Sequence, residues 1–349
     1  MKRIFSAKLP VILVLIILFC SCNNQQEGKT SIGATDSVMA KYKENAELQN
    51  LNKKIQQNPS SDSLYRERAK IYMKVQDFEL AEGDAKRALN LDSSTSKNYL
   101  MLVDVYYTAN QTRKAKETLE RCLKSLPKDK DAILKLAELY FYVKKYPESI
   151  EQINKALEID QYSKTAYFLK GMNYCEIGDT AKAISSYQTA VEQDNEYYEA
   201  YFQLGLLHFY KKNNLCNEYF DNALRLRPKS TEALYGKGFY FQQTGRPKEA
   251  KEFYERILTI DPKHVDANFN LGALALGVEN NPTVAKKYFT DVINIDTKNA
   301  RALYSRGVCN EKLLDKEAAI NDYKMALKIS ENYEPAISAL NKITGNKTN

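Results

Sequence analysis

The sequence has no tryptophan and only two histidines, His208 and His264, among its 349 residues. A zinc site needs several ligands in one place, and a Ser-His or Cys-His pair needs its partner beside the imidazole. Two isolated histidines favour neither arrangement. His208 stands in an apolar stretch and is predicted to pack in the core, whereas His264 follows Pro262 and is predicted to lie exposed in a loop. The sequence thus argues against a metal centre and against histidine-based catalysis.

Other catalytic patterns are also lacking. The glycines of the segment 235–238 (Tyr-Gly-Lys-Gly) fall within a predicted helix, so they do not form a phosphate-binding loop. Carboxylate pairs such as Asp315 and Glu317 stand at predicted helix starts, where the helix dipole favours acidic side chains. We therefore predict that the protein is not an enzyme and that it has no catalytic residues, no cofactor and no metal.

Four cysteines follow the N-terminal segment, and none of them forms a Cys-x-x-Cys pair: Cys122, Cys175, Cys216 and Cys309. Cys122 and Cys216 replace small residues of predicted helices, which predicts buried free thiols. A disulfide between Cys175 and Cys216 stays open as the alternative.

The net charge gives little support for a nucleic-acid partner. The formal charge is +7, and the three cations Lys2, Arg3 and Lys8 belong to a predicted leader, so 7 − 3 leaves +4 for the rest. These charges are dispersed, whereas a nucleic-acid-binding surface needs clustered positive charge. We predict no nucleic-acid partner.

The first 22 residues read MKRIFSAKLPVILVLIILFCSC. A basic start followed by an apolar run is typical of a secretory signal, and the run is too short for a comfortable transmembrane helix. The Phe-Cys-Ser-Cys end resembles the lipobox of bacterial lipoproteins. This resemblance implies a signal peptide at 1–21 and a lipid anchor on Cys22, with Cys20 as the weaker candidate. An ordinary cleaved leader and an uncleaved anchor are the alternatives.

Residues 22–37 follow the signal and are polar, without aromatic side chains or a helical period. This composition predicts a flexible tether between a lipid membrane and the rest of the chain. Residue 23 is asparagine. By resemblance to bacterial lipoproteins, this implies a location in the bacterial cell envelope, with the outer membrane facing the periplasm favoured.

A repeated helical pattern organises the rest of the chain. In the segment 164–197, Tyr167, Gly171 and Tyr174 recur at the spacing of one helix face, and a second such face follows Gly178. The segment is predicted to be a helical hairpin, and its pattern returns about every 34 residues. One hairpin cannot bury its apolar face alone, so the hairpins are expected to stack.

A bulky aromatic residue, a small residue, a tyrosine and later alanines recur in an order that resembles the tetratricopeptide repeat (TPR). The resemblance divides residues 62–333 into eight repeats: 62–95, 96–129, 130–163, 164–197, 198–230, 231–264, 265–299 and 300–333. It implies an all-α fold, a right-handed α-solenoid superhelix of about eight helix-turn-helix repeats. A lead-in helix is expected within 38–61, and a capping helix and tail within 334–349. Positions are counted from the first residue of each repeat, allowing for one residue fewer in the fifth loop and one more in the seventh.

Position 8 is glycine in the last five repeats: Gly171, Gly205, Gly238, Gly272 and Gly307. Glycine inside a helix costs about 1 kcal/mol relative to alanine. Its recurrence therefore predicts that the paired helices of a repeat approach closely at this position.

In proteins with this repeat, the first helices line a concave groove that binds peptide segments. At positions 5 and 9, this chain has polar residues early and apolar residues later. The predicted partner-binding residues are Phe168, Met172, Phe202, Leu206, Tyr235, Phe239, Phe269 and Tyr304. Acidic residues recur at position 2: Asp131, Glu199, Glu232 and Asp266. We expect a partner segment with apolar anchors and some basic residues. The alternative is that these rings only pack against neighbouring helices.

The resemblance implies a membrane-anchored TPR scaffold that binds protein or peptide partners, in bacterial envelope assembly or secretion. Self-association through exposed helix faces is compatible with this role. The alternative is an accessory protein to, or an unrecognised member of, an envelope hydrolase system. Binding of a chaperone's C-terminal carboxylate is not expected, because Met101 and Asp131 replace residues of the family's carboxylate clamp that Arg66 and Lys70 would begin.

Overall fold

The computed structural model describes residues 46–345, and this range contains helices but no strands. The helices are α1 (Ala46–Gln57), α2 (Asp62–Lys74), α3 (Phe78–Leu91), α4 (Ser96–Thr108), α5 (Thr112–Ser125), α6 (Lys130–Tyr142), α7 (Tyr146–Ile159), α8 (Lys164–Ile177), α9 (Thr180–Gln193), α10 (Tyr198–Tyr210), α11 (Leu215–Leu226), α12 (Thr231–Gln243), α13 (Pro247–Ile260), α14 (Val265–Gly277), α15 (Pro282–Ile295), α16 (Ala300–Lys312), α17 (Lys316–Ile329) and α18 (Glu334–Thr344). The predicted signal peptide, Cys22, the tether and the first residues of the predicted lead-in helix lie outside the described residues.

The helices pair into eight hairpins, from α2 with α3 to α16 with α17. Helix α1 packs on α2. At the other end, α18 packs on α17 and lies where a capping helix is predicted. The all-α repeat fold is therefore confirmed.

The chain divides into two compact units, unit 1 up to Asp194 and unit 2 from Asn195. The described part of unit 1 holds α1 and four hairpins, and that of unit 2 holds four hairpins and α18. Within each unit, a helix packs mainly against the helices just before and after it in the chain. Neighbouring hairpins bury each other's apolar faces in this arrangement. Nothing in the repeat register predicts the division.

Caps and prolines fix where the helices begin. The side chains of Asp129, Ser163 and Asp179 each accept a hydrogen bond from a backbone N–H of the first turn that follows. Pro147 and Pro247 stand in the first turn of their helices, where the missing N–H costs no hydrogen bond. These two prolines thus favour the hairpin register instead of breaking it.

Each hairpin turns through one residue in the left-handed conformation at position 15. These residues are Gln76, Asn110, Lys144, Gly178, Lys212, Gly245, Asn280 and Leu314. Only Gly178 and Gly245 are glycines, for which positive φ has no steric cost. Leu314 is apolar and 86% exposed, so its own preferences do not explain its conformation. The two packed helices impose the turn.

The core of each hairpin is built around position 8 of the first helix and position 24 of the second. In five hairpins a glycine faces an aromatic ring: Gly171 and Tyr187, Gly205 and Phe220, Gly238 and Tyr254, Gly272 and Phe289, Gly307 and Tyr323. A Cβ atom on these glycines would lie 2.5–3.0 Å from the nearest ring atom, well inside van der Waals contact. The predicted close approach at position 8 is confirmed, and the ring at position 24 is its cause.

The cysteines of residues 46–345 are all free thiols, and Cys122, Cys216 and Cys309 are buried. The predicted buried free thiols are confirmed, and the disulfide alternative is wrong, since Cys175 is also free. Burial raises the pKa of the Cys122 and Cys216 thiols to about 11, which leaves little reactive thiolate near neutral pH.

No helix between residues 46 and 345 is both long and apolar enough to span a bilayer.

Candidate partner-binding face

The predicted binding residues lie on the first helices of their hairpins. Phe168 and Met172 belong to α8 in unit 1. The other six belong to α10, α12, α14 and α16 in unit 2 and are here called the aromatic row: Phe202, Leu206, Tyr235, Phe239, Phe269 and Tyr304. Positions 5 and 9 stand about one helical turn apart, so their side chains share one helix face.

Rings at position 24 support the rings at position 5 from behind. The centroid distances are 6.1 Å for Phe202 and Phe220, 5.8 Å for Tyr235 and Tyr254, 5.4 Å for Phe269 and Phe289, and 5.7 Å for Tyr304 and Tyr323. In unit 1, Phe168 and Tyr187 make the same pair at 5.3 Å. These separations are typical of favourable aromatic pairs. Packing therefore accounts for one side of each position-5 ring.

The accessible surface that remains differs along the face. Phe202 is 4% exposed and Met172 is 9% exposed, so both are largely unavailable to a partner in this conformation. The other five members of the aromatic row are half-buried. Tyr235, Phe269 and Tyr304 are each packed on one side by a position-24 ring and remain partly accessible, so they can hold the hairpin and still offer surface to a ligand.

Tyr235 has the most connections in the aromatic row. Its ring stacks on Phe239, with 6.0 Å between centroids and 7° between planes. Its hydroxyl accepts a hydrogen bond from Nδ2 of Asn270 at 3.2 Å. Phe209 extends the cluster by packing on Phe239 at 5.5 Å. These contacts fix the orientation of the tyrosine, so binding there would require little ordering of side chains.

His264 is placed differently from the sequence expectation. It is half-buried, and its imidazole stacks on Tyr235 at 6.0 Å between centroids. Its Nδ1 accepts a hydrogen bond from the backbone N–H of Ala267, which caps α14. A side-chain acceptor just before a helix is a recognised capping pattern. The position of His264 directly before the predicted helix is the sequence feature that indicates a cap, whereas the nearby Pro262 favours a loop.

The charges beside the aromatic row are mainly acidic. Glu232 and Asp266 are exposed, while Glu199 forms an ion pair with Arg227. Burial, followed by the nearby charge of Asp266, raises the pKa of Tyr235.

One cation also reaches the aromatic row. The Arg301 guanidinium lies 4.4 Å from the centroid of Phe269, a cation–π contact. The row thus combines apolar surface with carboxylates and one stacked arginine.

The equivalent face of the first hairpins in unit 1 is charged. Nζ of Lys135 lies 2.9 Å from Asp104 and 3.3 Å from Glu138. Leu100 and Leu134 join these three residues in lining a cavity of about 340 Å³. The lysine balances only one of the two carboxylates, so this cavity combines leucine surface with charged groups, unlike the aromatic row.

Arg66, the first residue that would form a carboxylate clamp, is engaged within the chain. The Arg66 guanidinium is paired with Asp62 and donates a hydrogen bond to Asn98 at 2.6 Å. A carboxylate ligand would have to compete with Asp62 for the same guanidinium. This geometry agrees with the expectation that a chaperone tail does not bind here.

His208 is a core residue, as predicted. It is 6% exposed and stacks on Tyr219 at 5.1 Å between centroids. Within residues 46–345, neither ring nitrogen has a hydrogen-bond partner. Burial, with a smaller effect of the Lys211 charge, lowers the pKa of His208. In the same range no cluster of three or more potential metal ligands occurs.

Comparison with protein families recognises tetratricopeptide repeats in the chain. A family described as TPR repeat matches residues 171–211, and families described as tetratricopeptide repeat match 231–264 and 300–333. The last two matches have the same bounds as the sixth and eighth repeats of the sequence analysis. A family described as ChAPs (Chs5p-Arf1p-binding proteins) matches residues 24–169.

Among curated proteins, the chain is similar to the DnaJ protein P58IPK homolog of Arabidopsis thaliana. The identity is 25% over 321 residues, which cover 86% of this chain and 61% of that protein. The human Protein O-mannosyl-transferase TMTC3 is 22% identical over 240 residues, covering 67% of this chain and 26% of that protein. The chain therefore spans about six-tenths of the first relative and about a quarter of the second.

Among solved structures, the chain resembles the C-terminal part of a TPR repeat-containing protein from Cytophaga hutchinsonii. The TM-score is 0.58 at 18% sequence identity, and the match covers 68% of this chain and 98% of that one. At this identity the likeness concerns the fold alone.

Proposed function

We propose that the protein is a membrane-anchored TPR scaffold that binds protein partners through the aromatic row of unit 2. The observation that carries this proposal is the set of five half-buried apolar side chains, of which Tyr235, Phe269 and Tyr304 are supported from behind by position-24 rings. Apolar surface held in a fixed orientation is typical of binding sites, because little conformational freedom is lost on association. The recognised TPR repeats and the match to a family of binding proteins support the same role.

The chemistry of the row selects a kind of partner. Apolar side chains of an extended or helical segment would pack on Tyr235, Phe239 and Phe269. The exposed carboxylates of Glu232 and Asp266 would attract lysines or arginines of the same segment. We therefore propose a peptide-like segment with apolar anchors and basic residues, not an acidic tail.

The N-terminal sequence supports the membrane part of the proposal. A lipid on Cys22 would hold the chain at a bacterial membrane, and the polar segment 22–37 would separate the repeats from the lipid surface. We propose the outer membrane facing the periplasm, and a role in envelope assembly or secretion. The hydrolase alternative has no observation of its own within residues 46–345.

Binding is tested with the full chain and peptides selected from a random library. We expect selected peptides to be rich in apolar residues at helical or alternate spacing and in lysine or arginine. Phe239→Ala should weaken their binding about tenfold or more, because central aromatic residues contribute most to such interfaces. Met325→Ala is the matched control, since Met325 is an exposed apolar residue on a second helix, α17.

Equal losses in Phe239→Ala and Met325→Ala would show that the aromatic row is not the docking surface. Selection of acidic peptides instead of basic ones would contradict the proposed charge complementarity. Both variants must first match the wild type in circular dichroism and urea unfolding, so that a folding defect is not read as lost contact.

The anchor is tested separately by metabolic labelling with a radioactive fatty acid in a bacterial host. Wild type should incorporate label and sediment with membranes, whereas Cys22→Ser should do neither. Cys20→Ser distinguishes the two candidate cysteines and should behave like wild type. Label that persists in Cys22→Ser would exclude this residue as the anchor, without bearing on the aromatic row.

A further inference from the structure

Position 7 of the first helix carries a cation in four hairpins: Arg68, Lys170, Lys237 and Arg306. The other four hairpins have leucine there: Leu102, Leu136, Leu204 and Leu271. A partly buried cation is costly unless a carboxylate pairs with it. The hairpins supply this counter-ion from one of two places.

The first place is the second helix of the same hairpin, sixteen residues after the cation. Arg68 pairs with Asp84 through two hydrogen bonds of 2.7 Å. Arg306 pairs in the same way with Asp322, at 3.0 and 2.6 Å. The second place lies sixteen residues before the cation, in the preceding hairpin, where Asp221 pairs with Lys237.

Lys170 lacks a counter-ion at both places. Ser186 stands where the aspartates follow the arginines, and Asn154 stands where an aspartate precedes Lys237. Nζ of Lys170 donates to the neutral Oδ1 of Asn154 at 2.9 Å. In the part of the chain that the structure describes, no carboxylate pairs with this ammonium group. Burial accordingly lowers the pKa of Lys170, whereas the hydrogen bond to Asp84 raises the pKa of Arg68.

A cavity of about 250 Å³ opens beside Lys170, between α8 and α9. Besides Lys170 it is lined by Tyr167, Tyr174, Lys182, Ser185 and Ser186. Lys182 pairs with Asp179 at 2.9 Å and lies over the ring of Tyr174, so it adds a donor with little net charge. The cavity thus offers ammonium and hydroxyl donors from two helices. No carboxylate is among these lining residues.

We propose that this cavity binds a small oxyanion, a phosphate or a sulfate group, with Lys170 as its principal charge partner. The anion would occupy the role that an aspartate has in the equivalent pairs of the other hairpins. The hydroxyls of Tyr167, Tyr174 and Ser185 would donate to its oxygens, whereas that of Ser186 already donates to the Lys182 carbonyl. Hydrogen bonds to a charged acceptor are stronger than those to neutral groups. The site is separate from the aromatic row and from Phe168 and Met172, none of which lines it.

The experiment is isothermal titration calorimetry of the full chain with sodium phosphate, sodium sulfate and phenyl phosphate. Chloride keeps the ionic strength constant, so that general screening is not read as binding. Phenyl phosphate distinguishes a free anion from an esterified group, since the tyrosines can contact an attached ring. A ligand that binds the folded chain also stabilises it, so the urea midpoint gives a second readout.

Two variants copy other hairpins of the same protein and are therefore expected to fold. Lys170→Leu reproduces the leucine of four hairpins, and Asn154→Asp reproduces the counter-ion of Lys237. Each should weaken anion binding about tenfold or more, the loss expected for one charged hydrogen bond. Asn154→Ala adds no charge and should keep the affinity. Lys155→Leu, at an exposed lysine of α7, is the control and should also bind like wild type.

Absence of saturable binding of any of the three anions by wild type would overturn the proposal. Equal binding by wild type and Asn154→Asp would also overturn it, because the missing counter-ion would then be irrelevant. Tighter binding of phenyl phosphate than of inorganic phosphate would identify an esterified phosphate as the ligand. Equal binding of the two would identify the free anion as the ligand.

Discussion

The two units are built from the same hairpin but fill it differently. In unit 2, all four hairpins place glycine at position 8 against an aromatic ring at position 24. In the first three hairpins of unit 1, the equivalent residues are Ala69 and Ala85, Val103 and Leu119, and Ala137 and Ile153. Compared with those three hairpins, the hairpins of unit 2 have a smaller residue on the first helix and a larger one on the second. The fourth hairpin of unit 1 already has the glycine and ring arrangement, through Gly171 and Tyr187.

This exchange of volume determines what the first helices present. Where position 24 is aliphatic, position 5 is Arg66, Leu100 or Leu134. Where position 24 is a ring, position 5 is also a ring, and the two pack together. The residues of the aromatic row are therefore linked to the choice of core residues, so the proposed binding surface depends on how the hairpins are packed.

The units differ again at position 11. Unit 1 has tyrosine in every hairpin, whereas unit 2 has four different residues: His208, Phe241, Ala275 and Asn310. The Tyr106 hydroxyl in unit 1 donates to Glu82 at 3.0 Å, while the imidazole of His208 in unit 2 has no hydrogen-bond partner within residues 46–345. Position 11 thus accepts polar as well as apolar residues, whereas position 8 is always glycine, alanine or valine and position 24 is always aliphatic or aromatic.

The largest effect is expected from a side chain placed against a position-24 ring. Gly205→Leu should lower the free energy of unfolding by about 3 kcal/mol through overpacking, because its Cβ would lie 2.6 Å from Phe220. Urea unfolding followed by circular dichroism measures this. Gly83→Leu is the control, since no atom lies within 4 Å of its Cβ position, and it should not destabilise. Equal losses in the two variants would mean that the ring does not restrict position 8.

A double-mutant cycle converts a hairpin of unit 2 to the unit 1 arrangement. Gly272→Ala should crowd Phe289, and Phe289→Leu alone should leave a cavity. The pair together should be more stable than the sum of the single variants by about 1–2 kcal/mol. Urea midpoints of the four proteins give the coupling. Additive effects would show that the two positions do not compensate each other.

A smaller change in stability, here an increase, is expected from a substitution at the turn of the last hairpin. Leu314→Gly should raise the free energy of unfolding by about 1 kcal/mol, because the left-handed conformation is strained for leucine and free for glycine. Gly178→Leu, at the same position of the fourth hairpin, should lower it by a similar amount. The same sign for both variants in urea unfolding would contradict an imposed turn geometry.

The smallest effect expected is a dependence on pH that belongs to unit 2. The pKa of His208 is lowered in the folded chain, so below its usual value of about 6.5 the unfolded chain binds a proton that the folded chain does not. Stability should therefore fall as the pH drops through this range. His208→Phe, which copies the phenylalanine of the next hairpin, should remove this contribution in urea unfolding from pH 8 to 5. An unchanged slope in His208→Phe would exclude this residue as the cause, and His264→Asn is the control that keeps a capping side chain.

Much of the fold could be predicted from the sequence because its signals are local. Apolar spacing, the prolines and the glycines at position 8 set the hairpins without knowledge of distant contacts. The division after Asp194 could not be predicted, since the repeat register continues through it.

The candidate site was less accessible to sequence reasoning. The residue types at positions 5 and 9 could be read directly, but their exposure depends on packing between helices. Phe202 and Phe269 are both phenylalanines at position 5, yet Phe202 is buried and Phe269 is half-buried. The sequence also does not reveal that Lys170 lacks a counter-ion. This becomes clear only from the structure, in which Arg68, Lys237 and Arg306 each pair with an aspartate sixteen residues away.

The restriction of contacts to neighbouring helices has a consequence for how the chain reaches its folded state. Within each unit, the main partners of a helix are at most two helices away in sequence. Proteins dominated by such local contacts fold quickly, since few long loops must close before stabilising contacts form. Each hairpin can therefore pack on the hairpin before it as synthesis proceeds, so an emerging chain leaves the apolar face of its newest hairpin exposed only until the next one forms.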